Sequence, residues 1–383
     1  MILCIDTENT THNKGSPFDQ RNQNVCISYV ACEVGGGLSS TGNQGRCFFS
    51  DDQKGRKDFE GLLRESDRLV GFNLKYDLHW LRREGYDFSG KRVWCCQTAE
   101  FVLGRQLSPY PSLGGTALSY DLGSKVSVIE DEYWSKGVQT TDIPRNELEA
   151  YARQDAELTL KIYERQQTLV GVHQRVLFSL LMQDLLVLQE MEWNGLHFDK
   201  ELSLRKADEL KGRIEGIQQS LGVFHSVPCF NWASNDHLSA LLYGGTIVEW
   251  KHIPDGVFKT GARKGEIKFK KTAVEHKLPR RYNPIRGSAN AKEGTWSVDE
   301  SYLRKLQGGR ELIDGILQVK AWKKLVSTYL LGLPKLHEEM HQDEGFIHGQ
   351  LVQVVAKTGR LASNSPNLQN ISGEALDIFT TRY

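Results

Sequence analysis

Ile2-Leu3-Cys4-Ile5-Asp6-Thr7-Glu8 runs from four apolar residues straight into two carboxylates. A short continuous apolar run is the pattern of a strand buried at the centre of a sheet. Side chains alternate along a strand, so Asp6 and Glu8 share one face at its end. Working outward, residues 24–34 read as a second strand, Gly35-Gly36-Gly37 as a turn, and Arg46-Cys47-Phe48-Phe49 as a third strand. Phe59, Leu62 and Leu63 mark a short helix. Leu69-Val70-Gly71-Phe72 is a further strand ending at Asn73, after which Leu74, Leu78 and Leu81 keep helical spacing until Gly85 stops it. Pro144, favoured in a first turn, opens a helix that runs to about Val170. Strands and helices mixed in this order predict an α/β sheet domain over residues 1–170.

Two more carboxylate motifs lie in that domain. Asn73-x-x-x-Asp77 begins one helix and Tyr151-x-x-x-Asp155 sits in another. Residues four apart share a helix face, so three elements can converge on one spot. Clustered carboxylates repel unless cations neutralise them, and hard divalent ions with oxygen ligands do this. Two such ions roughly 3.5–4 Å apart can activate a water and stabilise the leaving oxygen of a phosphodiester. Taken singly the motifs have plainer readings. Asp-x-Glu can be a solvated loop, Asn73 a helix N-cap and Tyr151 a half-buried helix residue.

The chain has 383 residues, enough for two or three domains, and is 39% hydrophobic and 25% charged, as soluble globular domains are. The formal net charge is zero, so only local charge bears on nucleic acid. Seven cysteines without a Cys-x-x-Cys read as free thiols in a reducing compartment, rather than as disulfides or a zinc site. Met1 leads directly into a strand and no 18-residue apolar run occurs, so neither a secretory signal nor a transmembrane helix is expected. The expected location is the cytosol.

Beyond residue 170 the pattern turns helical. Leu177, Leu180, Leu181, Leu185, Leu188 and Met191 lie on a helix that ends at Asn194-Gly195, and residues 200–220 form another. The stretch 250–292 differs in kind, with 12 Lys or Arg against 3 Asp or Glu, a net of +9. Trp250, Phe258, Phe269 and Tyr282 are scattered through it, and Ile267-Lys268-Phe269-Lys270 suggests a β-ribbon with one basic face. Such a segment suits a solvated surface insertion, DNA backbone contact with stacking, or docking of an accessory protein. Helices are expected again at Val298–Leu306 and Arg310–Leu333, and a strand at Phe346–Val355.

The three carboxylate motifs, in this order, resemble the 3′→5′ exonucleases that use three Asp, one Glu and a Tyr. The resemblance implies an RNase H-like fold. It also implies that Asp6, Glu8 and Asp155 ligate one metal, that Asp6 bridges to a second held by Asp77 through water, and that Tyr151 orients the attacking water. Asn73 would position Asp77 or the substrate. Asn9 departs from the small hydroxyl residue common there in relatives.

A second signature, Thr358-Gly359-Arg360-Leu361 with Pro366-Asn367-Leu368-Gln369-Asn370, resembles the start of the palm in family A (polymerase I-like) DNA polymerases, phage ones especially. Leu196-His197-Phe198-Asp199, Phe230-Asn231-Trp232-Ala233-Ser234, Thr295-Trp296-Ser297-Val298-Asp299-Glu300 and Ser327-Thr328-Tyr329 resemble segments of the same polymerase region.

These matches imply an RNase H-like α/β exonuclease domain over 1–170. A mainly α-helical thumb over 171–345 would follow, with its insertion at 250–292, and then an incomplete α+β palm over 346–383. Lys320 and Lys324 would share one face along duplex backbone. Arg360, with Asn367, Gln369 and Gln353, would read the minor groove at the primer end.

The implied function is proofreading excision with two Mg²⁺ or Mn²⁺ ions, on single-stranded 3′ ends and primer-template duplex. A rival reading is a DNA-gripping subunit of a split polymerase. A stand-alone RNA-trimming exonuclease is disfavoured by the palm remnant. The family's polymerase carboxylates and fingers helix are not in this sequence, so no polymerisation is expected from it alone. A partner chain carrying palm and fingers is expected to cover Ile371, Leu376, Ile378 and Phe379.

Overall fold

The computed structural model describes residues 1–33, 44–222, 227–261, 263–340, 345–371 and 373–380; the turn expected at Gly35-Gly36-Gly37 lies outside them. The chain forms two compact units, Met1–Lys200 with Leu333–Tyr383, and Glu201–Gly332.

The first unit is built on five strands, β1 (Ile2–Asn9), β2 (Asn24–Cys32), β3 (Arg46–Phe49), β4 (Arg68–Gly71) and β5 (Arg92–Cys95), in the order β3-β2-β1-β4-β5. β1 is central, antiparallel to β2 and parallel to β4, and its apolar run is buried as that place requires. Helix α1 (Gln53–Glu65) starts at Asp52, whose side chain accepts from the backbone N–H of Lys54 and Gly55. Helix α2 (Leu74–Arg83) follows β4 directly. Helices α3 (Cys96–Leu103), α4 (Leu113–Ser119) and α5 (Val128–Glu132) lead to the long α6 (Arg145–Leu169). α6 lies across β1 and β2, where the Cys4 thiol donates to the Ala156 carbonyl at 3.3 Å. Gln166 of α6 ties down β5 and α3 by accepting from Trp94 Nε1 and donating to the Cys96 carbonyl, both at 3.0 Å.

The compact unit does not end at residue 170. Helix α7 (Arg175–Asn194) packs on β5, where Phe178 stacks on Trp94 with centroids 5.4 Å apart and Cys95 N–H donates to Met182 Sδ. Helical periodicity showed an apolar face on α7 but not which sheet it would cover. Gly195 ends this helix at φ +62°, where a Cβ would also meet the His348 ring at 2.9 Å. The two-residue strand β6 (Leu196–His197) comes next.

The second unit contains α8 (Lys200–Ser220, all but its first residue), α9 (Asn235–Tyr243), the strands β7 (Gly245–Val257) and β8 (Ile267–Leu278), then α10 (Glu300–Leu303) and α11 (Arg310–Leu325). Its core gathers Phe230, Trp232, Leu242, Tyr243, Ile247 and Ile316. The helix expected over Val298–Leu306 shrinks to the single turn α10. The one expected over Arg310–Leu333 passes from α11 into a π-turn at Val326–Leu330. β7 and β8 do form an antiparallel ribbon. Its register puts Lys251 and Lys270 on one face but Lys271 and Lys277 on the other, so the basic charge is not confined to one side.

The chain then returns to the first unit through α12 (Gly332–Glu339), β9 (Phe346–Ile347), β10 (Gln350–Val352) and β11 (Ala362–Asn364). The strand expected over Phe346–Val355 is broken at His348–Gly349. β9 pairs with β6, β10 pairs with β11, and His348 Nδ1 donates instead to the Glu192 carbonyl at 2.8 Å. Near the end Ile378 is buried and Phe379 bridges to Phe198, so part of the apolar edge expected to lie open is covered within the chain. Leu376 remains exposed.

One buried carboxylate joins three of these pieces. Glu192 of α7 accepts from Lys75 Nζ at 2.5 Å and His79 Nε2 at 2.8 Å, both on α2, and from Leu351 N–H at 2.5 Å. Burial lowers the pKa of His79, which favours its neutral form. Gln189 Nε2 lies 3.3 Å from Nδ1, so the ring proton belongs on Nε2, facing Glu192. Burial alone would raise the Glu192 carboxyl, but the His79 hydrogen bond and the Lys75 charge hold it below its ordinary value. Glu192→Ala leaves the half-buried Lys75 ammonium with only the Leu351 carbonyl, and strands the His79 ring proton and the Leu351 amide. It should cost about 3–5 kcal/mol in urea unfolding monitored by circular dichroism; a loss under about 1 kcal/mol would show that water replaces the carboxylate.

Candidate active site

The structure brings Asp6, Glu8 and Asp155 together. One carboxylate oxygen from each lies within 4.8 Å of the other two. The cause is local. Asp6 and Glu8 end the central strand on one face, and α6 crosses that strand so that Asp155 comes down beside them. Asp77, in the first turn of α2, is outside the triangle but close enough for its charge to raise the Asp6 carboxyl.

A relay of polar groups orients Asp77. Asn24 Nδ2 donates to Asn9 Oδ1 at 2.9 Å, Asn9 Nδ2 to Thr7 Oγ1 at 3.1 Å, and Thr7 Oγ1 to Asp77 Oδ1 at 2.9 Å. The Thr7 N–H donates to the same oxygen at 3.1 Å. Asn9, the departure noted in the sequence, therefore has a defined place in this relay.

Two further residues complete the site, and sequence reasoning missed both. Lys125 Nζ lies 2.9 Å from Asp155 Oδ2 and 2.9 Å from Glu130 Oε1, and 4.9 Å from the Tyr151 ring centroid. Lys125 sits in a loop and Glu130 on a single helical turn, with no spacing to flag either. The Tyr151 hydroxyl donates to Glu130 Oε1 at 2.7 Å, so its proton is already engaged.

The electrostatics reflect burial of like charges. Burial raises Asp6 well above its ordinary value, and Glu8, Asp77 and Asp155 raise it further. Burial likewise raises Glu8, with Asp155 adding to it and Lys125 opposing. Burial lifts Asp77 to about 8 against the two Thr7 hydrogen bonds, and Asp155 to about 6 against the Lys125 charge. Asp155 Oδ1 is buried without a hydrogen-bond partner. A solvent-starved acceptor inside a cluster of carboxylates fits a hard divalent cation, whose ligands are oxygens.

The remaining expected site residues are dispersed. Asn73 adopts φ +62°, a conformation Asn tolerates, and makes no side-chain capping bond to α2, although its carbonyl accepts from the Tyr76 N–H at 2.9 Å. Lys320 turns inward, its Nζ donating to the Val298 carbonyl at 2.9 Å, while Lys324 is exposed, so the two ammonium groups do not share a solvent track. Gln353 Nε2 donates to the Leu181 carbonyl at 3.1 Å. Arg360, Asn367 and Gln369 are exposed, and Asn367 Oδ1 accepts from the Gln369 N–H.

Two family models match parts of this chain. The model of a family described as 3'-5' exonuclease matches residues 32–170, which hold Asp77, Tyr151 and Asp155 but not Asp6 and Glu8. A model described as DNA polymerase family A matches residues 265–382. DNA polymerase I of Chloroflexus aurantiacus is 28% identical over 313 residues, covering 78% of this chain and 28% of that protein. DNA polymerase I of Treponema pallidum is 24% identical over 314 residues, covering 80% and 26%.

A solved structure described as the POL domain of Pol1 from M. smegmatis, in complex with DNA primer-template and dNTP, has a similar fold. The TM-score is 0.65 at 16% identity, covering 97% of this chain and 52% of that one. The two models and these relatives together make the chain similar, over most of its length, to the region of family A DNA polymerases that includes a 3′-5′ exonuclease domain. The chain spans about a quarter of the length of these relatives. They are bacterial, not from phages, and nothing in the matches calls for a separate C-terminal chain. Among the described residues no helix is long and apolar enough to cross a membrane.

The raised carboxyls give a pH signature. Unfolded, Asp titrates near ~3.9. Folded and stripped of divalent ions, Asp77 and Asp155 hold protons up to about 8 and about 6. Their stability contribution is thus full below about pH 4 and is lost as pH rises through 6 and then 8. In chelator the melting temperature should fall between about pH 5 and 8, and a divalent cation should restore more at pH 8 than at pH 5. A melting temperature that rises across that window in chelator contradicts the burial of these carboxyls.

Proposed function

We propose that this chain removes nucleotides from DNA 3′ ends by metal-dependent hydrolysis, as the proofreading exonuclease part of a family A DNA polymerase. The observation that carries the reading is the Asp6–Glu8–Asp155 triangle with its unpartnered Asp155 Oδ1. Asp6, Glu8 and Asp155 would hold one divalent ion, Mg²⁺ or Mn²⁺, and Asp6 with Asp77 a second. Ions bound there activate a water and stabilise the leaving oxygen of an in-line displacement.

The chain's own residues set the geometry. Thr7 engages Asp77 Oδ1 and so fixes the direction of the other oxygen. The Tyr151 hydroxyl donates its hydrogen bond to Glu130, which leaves a lone pair of the phenol oxygen to accept from the attacking water. Lys125 holds Glu130 and Asp155 in place with one positive charge. Asn73 stands before α2 as a candidate substrate contact.

Residues 346–383 are read as the start of a palm and residues 171–345, which include the second unit, as a thumb region that grips duplex. Exposed Lys324, Arg360, Asn367 and Gln369 support that grip, as do the lysines of the ribbon. The place of action on this reading is the cytoplasm.

Asp6→Ala with Glu8→Ala should abolish Mg²⁺-dependent digestion of 3′-labelled single-stranded DNA while the circular dichroism spectrum is kept. Tyr151→Phe should slow digestion roughly 10²-fold. Wild-type rates in the double variant would sink the assignment. Unpairing costs energy, so a mismatched 3′ end should be cut faster than a matched one, and equal rates would leave a nuclease without a proofreading role. For the grip, Lys268→Gln, Lys270→Gln and Lys271→Gln together should flatten the salt dependence of duplex binding by roughly 0.9 per lost phosphate contact. An unchanged slope takes the ribbon out of the DNA interface.

A further inference from the structure

The ribbon of the second unit carries a side-chain cluster that the exonuclease reading does not use. The Cys229 thiol, a Glu249 carboxylate oxygen and a His276 imidazole nitrogen lie within 4.8 Å of one another, all three residues half-buried. They come from three places in the chain. Cys229 is in the turn before Phe230, which belongs to the core of the second unit, while Glu249 is on β7 and His276 on β8. In the ribbon register Ile247 opposes His276 and Glu249 opposes Val274, so Glu249 and His276 are diagonal neighbours on one face. That face also carries Ile247, which is 2% exposed, and Cys229 packs against the core cluster that includes it.

We propose that Cys229, Glu249 and His276 form a metal site of the zinc type, which fastens the ribbon to the body of the second unit. The donor set is the first reason. A thiolate and an imidazole select a borderline ion such as Zn²⁺, whereas the all-oxygen set at Asp6, Glu8 and Asp155 selects a hard ion. Distance is the second. Zinc bonds of about 2.0–2.3 Å set tetrahedral donor atoms roughly 3.3–3.8 Å apart, so small side-chain rotations suffice here. His276 Nε2 now lies 2.9 Å from Glu249 Oε2, a hydrogen bond that an ion would replace. Lys251 Nζ, 3.3 Å from the same oxygen, is on a half-exposed side chain that can swing into solvent. Three protein donors leave a fourth corner for water.

The third reason is mechanical. Beyond Ile247 no residue of β7 is buried, and no residue of β8 is. A two-stranded ribbon without a core is marginal in water, and an ion at its root ties both strands to Cys229. Binding balances as Cys229–SH plus Zn²⁺ giving Cys229–S⁻–Zn²⁺ and a released proton, which passes to buffer.

The test uses the full chain with zinc and, as a spectroscopic probe, Co²⁺. One Zn²⁺ should bind with Kd below about 1 μM, and Co²⁺ should give a sulfur-to-cobalt charge-transfer band. Cys229→Ser and His276→Ala should each weaken zinc at least about 100-fold and remove the band. Cys47→Ser, which alters the other half-buried cysteine, should leave both unchanged. Asp6→Ala with Glu8→Ala should keep the zinc, separating this site from the exonuclease site. Zinc should also slow tryptic cleavage within the lysine-rich ribbon in the wild type but not in Cys229→Ser. No band in the wild type, a band that survives Cys229→Ser, or binding only at millimolar zinc overturns the site. Zinc bound with unchanged tryptic cleavage overturns its fastening role.

Discussion

Burial of like charge at the end of one strand is the constraint around which the first unit is organised. β1 must be apolar to sit at the centre of the sheet, and its last residues place Glu8 in the interior with Asp6 half-buried beside it. α6 then adds a third from above and α2 a fourth from the side. Each would be shifted upward by burial alone, and each raises its neighbours. The fold answers with one ammonium, from Lys125, and with a relay of amides and hydroxyls on Asp77. These do not neutralise the cluster. The remainder is the electrostatic demand that a divalent cation meets.

Glu192 shows the opposite solution to the same problem. It is as buried as Asp155, yet its charge is fully answered by Lys75, the His79 proton and the Leu351 amide. Both Lys75 and Asp77 are on α2, so the helix that carries a site carboxylate is also fastened to α7 and to the β10 segment. A buried carboxylate with every acceptor engaged is structural. One with an orphaned oxygen beside three others is poised for a ligand. The partner count, not the burial, separates them.

The family resemblance was legible in short motifs standing in order, and the meeting of Asp6, Glu8 and Asp155 was legible because it rests on local periodicity. Alternation placed Asp6 and Glu8 on one face and four-residue spacing placed Tyr151 with Asp155, whereas Asn73, at φ +62° before α2, lies off the helix face that carries Asp77. Boundaries were less legible. α7 has the apolar face of a helix that could cover either neighbour, and tertiary contacts such as the stack of Phe178 on Trp94 and the Met182 bond to Cys95 assign it to the first unit. Phe346–Val355 alternates like one strand, but the His348 bond to the Glu192 carbonyl splits it. Lys320 and Lys324 share a helix face by spacing. Val298, far away in sequence, captures the first of them.

The sequence by itself determined the central strand, the helices that flank it and the residue types at its carboxylate end. All of these follow from the intrinsic periods of strand and helix, which any short window displays. Only the tertiary structure decided which groups answer which charges. Lys125 and Glu130 enter the site from a loop and a single helical turn, Thr7 reaches Asp77 across two elements, and Cys229 meets Glu249 and His276 through strand register. Those partners are set by how the chain closes on itself, and loop closure leaves no period in the sequence to read.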